Sequence, residues 1–97
     1  MKTKIDFNID DVNIILKMPE MEYIKTLLSL VNLTDREKNI ITLYYFNGFK
    51  DSEIAEKYAI DIRQVSAIKQ KAKNKMFQVW RYNSIAIAFA NLYKNNS

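Results

Sequence analysis

Apolar residues recur at helical spacing through most of the chain. Ile24, Leu27, Leu28 and Val31 lie at i, i+3, i+4 and i+7, which places them on one stripe of a helix at about residues 19–32. Pro19 suits the first turn of this helix, because the N–H that proline lacks would have no partner there. The stripe must be buried against another element.

A shorter helix is expected before Pro19. Residues 1–9 show no period and are predicted to form an extended or frayed arm. Asp10 or Asp11 then caps a helix that ends near Lys17. The residue before a proline avoids the helical region, so Pro19 separates the two helices.

The third helix is marked at both ends. Thr34 and Glu37 have the spacing of a capping box, in which each side chain accepts a hydrogen bond from the backbone N–H of the other. Gly48 can take the left-handed conformation that commonly ends a helix, without the penalty of a Cβ atom. The helix is therefore expected to end at Asn47-Gly48.

A short helix, a tight turn and a longer helix follow. The short helix spans about residues 51–58, the turn spans residues 59–61, and Asp61 with Gln64 forms a second capping box at the start of the fifth helix. One face of the fifth helix is apolar at 100° per residue and consists of Val65, Ile68, Ala72 and Met76.

The opposite face of the fifth helix carries the candidate site. In a helix-turn-helix the second helix enters the major groove of DNA, where its N-terminal half reaches base edges and flanking lysines meet phosphates. This face consists of Arg63, Ser66, Ala67, Gln70 and Asn74, and Lys71 and Lys73 flank it. The candidate DNA-contacting residues are these seven together with Gln64 and with Lys50, which precedes the fourth helix.

Composition favours helices and excludes most chemistry. The chain has one glycine and one proline, so it lacks the turns of hairpins and β-sandwiches, and it has neither cysteine nor histidine. The acidic residues of the predicted first turns are explained by capping and by the helix dipole. We expect an all-α, compact bundle of about five to six helices containing a helix-turn-helix, with no catalytic residue, metal or cofactor.

Charge is distributed unevenly along the chain. The net charge is +4, but residues 1–61 hold eight Lys+Arg against eleven Asp+Glu, whereas residues 62–97 hold seven Lys+Arg and no acid. A basic segment of this kind is typical of a phosphate-binding face. The alternative is a solvated lysine-rich helix.

Residues 33–76 resemble region four of bacterial sigma factors. The resemblance rests on Leu33-Thr34, on the Tyr45-Phe46 pair, and on Glu53-Ile54-Ala55 in the first helix of the motif. It implies a DNA-binding helix-turn-helix that also docks on the polymerase core. The LuxR-type response-regulator domain is similar over the same stretch, but the aromatic pair and the lysines of residues 69–75 fit the sigma family better.

Two features depart from the family pattern. Ala59 stands where the family usually has glycine, so the turn is expected to be altered or mildly strained. Ser66 and Ala67 stand where the family has long base-reading side chains, so specificity is modest or is read through DNA shape and a partner protein. The remaining candidates for direct readout are Arg63, Gln64 and Gln70.

Residues 77–97 extend beyond the resemblance. Phe77 lies on the outward side of the fifth helix and needs cover, and a further helix follows a break at which Asn83 or Ser84 is the cap. This segment either folds back beside residues 19–32 or pairs with its twin in a homodimer. Its apolar stripe is predicted to be Ile85, Phe89 and Leu92.

The chain thus divides into an N-terminal arm with supporting helices (1–32), the helix-turn-helix (33–76) and a C-terminal helical extension (77–97), within one compact domain. We expect a small cytoplasmic transcriptional regulator that binds double-stranded DNA, with RNA polymerase and a second copy of the chain as candidate partners and no membrane contact. A complete sigma factor is not expected, because residues 1–32 are too short to melt a promoter. The alternatives are a module that binds polymerase or a sigma factor without DNA, and the DNA-recognition subunit of a phage or mobile-element machine.

Overall fold

The computed structural model describes residues 7–95, which contain helices and no strands. A π-helical segment, Thr42–Phe46, follows the third helix directly. The all-α fold predicted from the periodicity is confirmed. None of the helices in the described part of the chain has the length and hydropathy needed to cross a membrane. The helices are α1 Ile9–Lys17, α2 Met21–Ser29, α3 Asp35–Ile41, α4 Asp51–Tyr58, α5 Ile62–Trp80 and α6 Ser84–Asn95.

Two compact units are formed by the described residues. Residues 7–31 and 76–95 form the first unit, and residues 32–75 form the second. Helix α5 contributes residues to both units. The second unit contains α4, the turn that joins α4 to α5, and the part of α5 that carries candidate DNA-contacting residues.

Helix α1 of the first unit begins earlier than predicted, because its cap is Asn8 rather than Asp10 or Asp11. The Asn8 side chain accepts a hydrogen bond from the Asp10 N–H, and the Asp11 carboxylate accepts one from the Asn8 N–H, both at 3.0 Å. Asp11 is buried and lies 3.1 Å from the Nζ atom of Lys94 in α6. Asp11 therefore serves both the capping box of α1 and an ion pair with α6.

Helix α2 begins later than predicted, at Met21. Pro19 precedes the helix instead of occupying its first turn, and its carbonyl accepts a hydrogen bond from the Met21 N–H at 2.8 Å. The helix also ends earlier than predicted, at Ser29. Of the predicted stripe, Ile24, Leu27 and Val31 are buried, Leu28 is half-buried, and Val31 lies beyond the end of α2.

The C-terminal extension folds back within the chain. Trp80 is fully buried, and its Nε1 donates a hydrogen bond to the Leu27 carbonyl at 2.9 Å. Helix α6 packs against α1 and is capped by Asn83, whose side chain accepts a hydrogen bond from the Ala86 N–H at 3.0 Å. Phe77 is covered by Phe7, with ring centroids 6.0 Å apart.

The stripe predicted for α6 is not its buried face. Ala86 and Ala90 are fully buried, whereas Ile85 and Leu92 are 55% and 52% exposed. Of the predicted stripe, Phe89 is the residue that makes a ring contact, at 5.0 Å from the ring centroid of Tyr23. Both sets of residues have helical spacing, and α6 turns its small side chains to its neighbours, which permits close approach.

Helix α3 of the second unit has the predicted capping box. The Thr34 hydroxyl accepts a hydrogen bond from the Glu37 N–H at 3.1 Å, and the Glu37 carboxylate accepts one from the Thr34 N–H at 2.9 Å. Glu37 is buried, and Lys75 Nζ donates to it at 2.8 Å. Burial raises the pKa of Glu37, but the hydrogen bonds from Lys75 and Thr34 and the positive charges of Lys75 and Lys71 together outweigh burial, so the pKa lies below its ordinary value.

The segment before Gly48 is wider than the α-helix expected there. The Asn47 N–H donates to the Thr42 carbonyl at 3.0 Å, which is the i→i−5 bond of a π-helix. The Thr42 hydroxyl donates to the Lys38 carbonyl at 2.8 Å, a local bond of the kind that bends helices. Gly48 then has φ +75°, which is the left-handed conformation predicted for it.

The core of the second unit fixes the two helices of the motif. Ile40 of α3, Ile54 and Ala55 of α4 and Val65 of α5 are buried together. Partly buried side chains surround this cluster and complete it: Leu43, Tyr44, Tyr58, Ile60 and Ile68. Apolar residues from α3, α4 and α5 thus share one core.

Candidate nucleic-acid interface

The turn between α4 and α5 is a Schellman motif centred on Ala59. The Ile60 N–H donates to the Ala55 carbonyl at 3.0 Å, and the Ala59 N–H donates to the Glu56 carbonyl at 3.2 Å. Ala59 has φ 56° and ψ 46°, and within residues 7–95 it is the one residue other than glycine with positive φ. The left-handed conformation costs a residue with a Cβ about 1–2 kcal/mol, so the strain expected at this position is present.

The start of α5 is held by Asp61. The Gln64 side chain accepts a hydrogen bond from the Asp61 N–H at 3.0 Å, as predicted. Asp61 Oδ1 accepts from the N–H of Arg63 at 2.7 Å, instead of from the N–H of Gln64. The Arg63 guanidinium also donates to both carboxylate oxygens, at 3.1 Å each, and these bonds lower the pKa of Asp61.

The two faces of α5 differ as the periodicity predicts. Val65, Ala72 and Met76 are buried, and Ile68 is half-buried. Lys73 is half-buried. The other candidate DNA-contacting residues are all exposed: Lys50, Arg63, Gln64, Ser66, Ala67, Gln70, Lys71 and Asn74.

Several polar side chains of the exposed face bind one another or a neighbour. Gln70 Nε2 donates to Asn74 Oδ1 at 3.1 Å, one helical turn away. The Ser66 hydroxyl lies 3.4 Å from Asp51 Oδ2 of α4 and donates to it. With the Asp61 contacts of Arg63 and Gln64, all the predicted base-reading side chains already have partners within the chain.

Asp51 links the first helix of the motif to the second. Its Oδ1 lies 2.7 Å from Lys69 Nζ, and this ammonium group also sits 3.4 Å from the centre of the Tyr44 ring. Lys69 is only 9% exposed. The sequence analysis explained Asp51, like the other acidic residues of the predicted first turns, by capping and by the helix dipole, because no local pattern connects it to a lysine in the next helix.

The cationic surface of α5 is smaller than the number of basic residues suggested. In the described part of residues 62–97, the basic side chains within ion-pair distance of a carboxylate include three of α5 and one of α6. They are Arg63, Lys69, Lys75 and Lys94. Within the lysine run of α5, Lys71 is exposed and Lys73 is half-buried, and both are candidates for phosphate contact.

One exposed residue of the first turn of α5 was not predicted. Ile62 is 48% exposed and directly precedes Arg63. It lies one helical turn before Ser66, so it borders the candidate face. Its apolar character gave no signal in the sequence, because base readout is usually assigned to polar side chains.

In the described part of the chain, no three acidic side chains gather as metal ligands would.

The helix-turn-helix lies inside a stretch that matches a known family. Residues 29–78 match the family model described as "Sigma-70, region 4", and this range is just over half of the chain. It contains α3, the π-helical segment, α4 and nearly all of α5. No curated protein and no solved structure matches the chain.

Proposed function

We propose, from the premise that this chain belongs to the sigma-70 region 4 family, that it binds double-stranded DNA through α4, the turn and α5 and acts as a small transcriptional regulator. The family is one of DNA-binding helix-turn-helix domains. The observation that carries the proposal is the division of α5, which buries its apolar face and exposes a polar face from residue 63 to residue 74. Helix α5 contains no acidic residue that would repel phosphate.

Two roles divide the exposed residues of α5. Arg63 and Gln70 are proposed to read base edges, because Arg and Gln make bidentate contacts to guanine and adenine in the major groove. Lys71 and Lys73, together with Lys50 just before α4, are proposed to contact phosphates, which position the protein without reading sequence.

The Asp61 contact prepares Arg63 for this role. Two guanidinium nitrogens of Arg63 bind Asp61, and the pair is exposed to water, where ion pairs are weak. A guanidinium group has five N–H donors, so Arg63 can keep one bond to Asp61 while others meet a base. Asp61 then orients the side chain instead of blocking it.

Substitution on α5 tests the assignment. Arg63→Ala and Gln70→Ala each remove a bidentate interaction with a base, so each is expected to reduce the discrimination between an enriched duplex and a random duplex by about 1–3 kcal/mol. Lys71→Ala is expected to weaken both duplexes equally. Fluorescence anisotropy measures these affinities, and Gln78→Ala, an exposed glutamine at the other end of α5, is the matched control. If the wild-type chain binds DNA and neither readout variant changes affinity or preference, α5 is not the recognition helix.

A second candidate function is a module that binds RNA polymerase or a sigma factor without DNA. It is favoured by large apolar side chains left exposed in the first unit, namely Tyr82, Ile85 and Leu92. The same side chains are the surface that a homodimer through the C-terminal extension would use. Light scattering at high micromolar concentration shows whether this surface binds a second copy of the chain, because a monomeric result excludes the homodimer. Loss of polymerase binding in Ile85→Ser with Leu92→Ser, in a chain that binds no DNA, would establish the second candidate.

A further inference from the structure

The first two turns of α5 expose apolar groups among the proposed base-reading residues. Ile62 is 48% exposed, and the Ala67 methyl group is also exposed. Ile62 lies one turn before Ser66, and Arg63 lies one turn before Ala67, so the four side chains form two adjacent rows on one surface. The side chains of Ile62 and Ala67 have no polar atom, so they can make only apolar contacts with a partner.

Several polar groups of the same surface already hold hydrogen bonds within the chain. Gln64 Oε1 accepts from the Asp61 N–H, Ser66 donates to Asp51, and Arg63 is paired with Asp61. Ile62 and Ala67 need break no hydrogen bond before they contact DNA. Apolar contact by these two side chains therefore adds to the base reading proposed for Arg63 and costs no hydrogen bond within the chain.

We infer that Ile62 and Ala67 contact the C5-methyl groups of thymine in the major groove, and that the chain selects duplexes with thymine at the bases facing the first two turns of α5. Thymine is the one base of unmodified DNA that presents a methyl group in this groove, and alanine and other apolar side chains are its usual partners. The inference rests on the proposed DNA binding and adds the kind of base pair that the surface favours.

Replacement of thymine by uracil tests this contact with little other change, because uracil keeps the hydrogen-bonding groups and lacks the methyl. A duplex enriched from a random library by the wild-type chain is synthesised with thymine and again with uracil. Anisotropy at one fixed salt concentration gives the two affinities. Each buried methyl group is expected to contribute about fourfold, so the uracil duplex binds the wild-type chain at least about fourfold more weakly.

Protein variants show whether Ile62 and Ala67 are the residues that make thymine bind more tightly than uracil. Ile62→Ser and Ala67→Ser are expected to bind the thymine duplex more weakly and to reduce the preference for thymine over uracil. Ile62→Val is expected to keep most of this preference. Leu30→Ser is the matched control, since Leu30 is 51% exposed and lies outside the motif. Because Ile62 and Ala67 are exposed, thermal unfolding of each variant should stay close to that of the wild-type chain.

Each outcome decides the inference. A reduced preference in either serine variant supports it. Equal binding of thymine and uracil duplexes, with affinity that still falls with salt, overturns it and leaves the proposed DNA binding in place. A full preference in both serine variants also overturns it, because the methyl groups then act through DNA shape. Failure to bind any duplex at low salt overturns the proposed function as well.

Discussion

The left-handed conformation of Ala59 predicts that Ala59→Gly stabilises the protein. Ala59 has φ 56° and ψ 46° at the centre of the turn between α4 and α5. Its Cβ atom is crowded by the following carbonyl in this conformation, and glycine has no Cβ. The backbone bonds of the Schellman motif, from Ala59 and Ile60 to the end of α4, do not involve the side chain and are kept.

The size of the effect follows from two opposing terms. Relief of the left-handed strain contributes about 1–2 kcal/mol. The greater freedom of glycine in the unfolded chain opposes this by about 0.4–1 kcal/mol. The net stabilisation is expected to be about 0.5–1 kcal/mol, which raises the Tm of a domain of this size by about 2–8 °C.

Thermal and urea unfolding followed by circular dichroism measure this difference. Ala88→Gly is the matched control, because Ala88 is exposed within the regular helix α6 and glycine there should lower stability by about 0.5–1 kcal/mol. The two identical substitutions are thus expected to have opposite signs. If Ala59→Gly lowers stability as Ala88→Gly does, the turn is not strained.

Two further predictions concern buried ion pairs of the second unit. Glu37→Gln should lower the free energy of unfolding by about 1–2 kcal/mol at neutral pH, because the bond from Lys75 loses its charge. The pKa of Glu37 is lowered in the folded chain, so this contribution is present above the unfolded pKa and fades as the pH falls through the folded one. Urea titrations from about pH 5 downward should show the wild-type and variant curves converge, and a gap that stays constant would contradict the ion pair. Lys69→Met should lower stability by about 1–3 kcal/mol, since Asp51 loses its cation in a half-buried site, and an unchanged urea midpoint would show that the pair is not formed in solution.

Features set by neighbouring residues were predictable from the sequence. The capping box of Thr34 and Glu37 and the left-handed Gly48 formed as expected, and the cap of α6 is Asn83, one of the two residues expected there. Each of these features depends on residues within three positions of the helix end. The start of α1 was wrong because Asn8, Asp10 and Asp11 have similar capping ability, and the choice among them depends on the burial of Asp11.

Features set by packing were not predictable. The partner of Lys69 is 18 positions away in another helix, and no periodicity connects the two. The buried side of α6 was predicted wrongly. Both pairs of residues, Ala86 with Ala90 and Ile85 with Leu92, have helical spacing, and the larger side chains of the second pair were expected to be buried. In the candidate site, the exposed polar residues followed from periodicity, but the exposed Ile62 did not.

The affinity for duplex DNA at graded salt concentrations tests the central claim most directly. The logarithm of the binding constant should fall linearly with the logarithm of salt, with about −0.9 in slope for each phosphate contact. Lys71→Ala should reduce the steepness by about that amount, whereas Lys25→Ala, an exposed lysine of α2, should leave the slope unchanged. A chain that binds no duplex at low salt, or whose affinity does not respond to salt, would contradict DNA binding by α5.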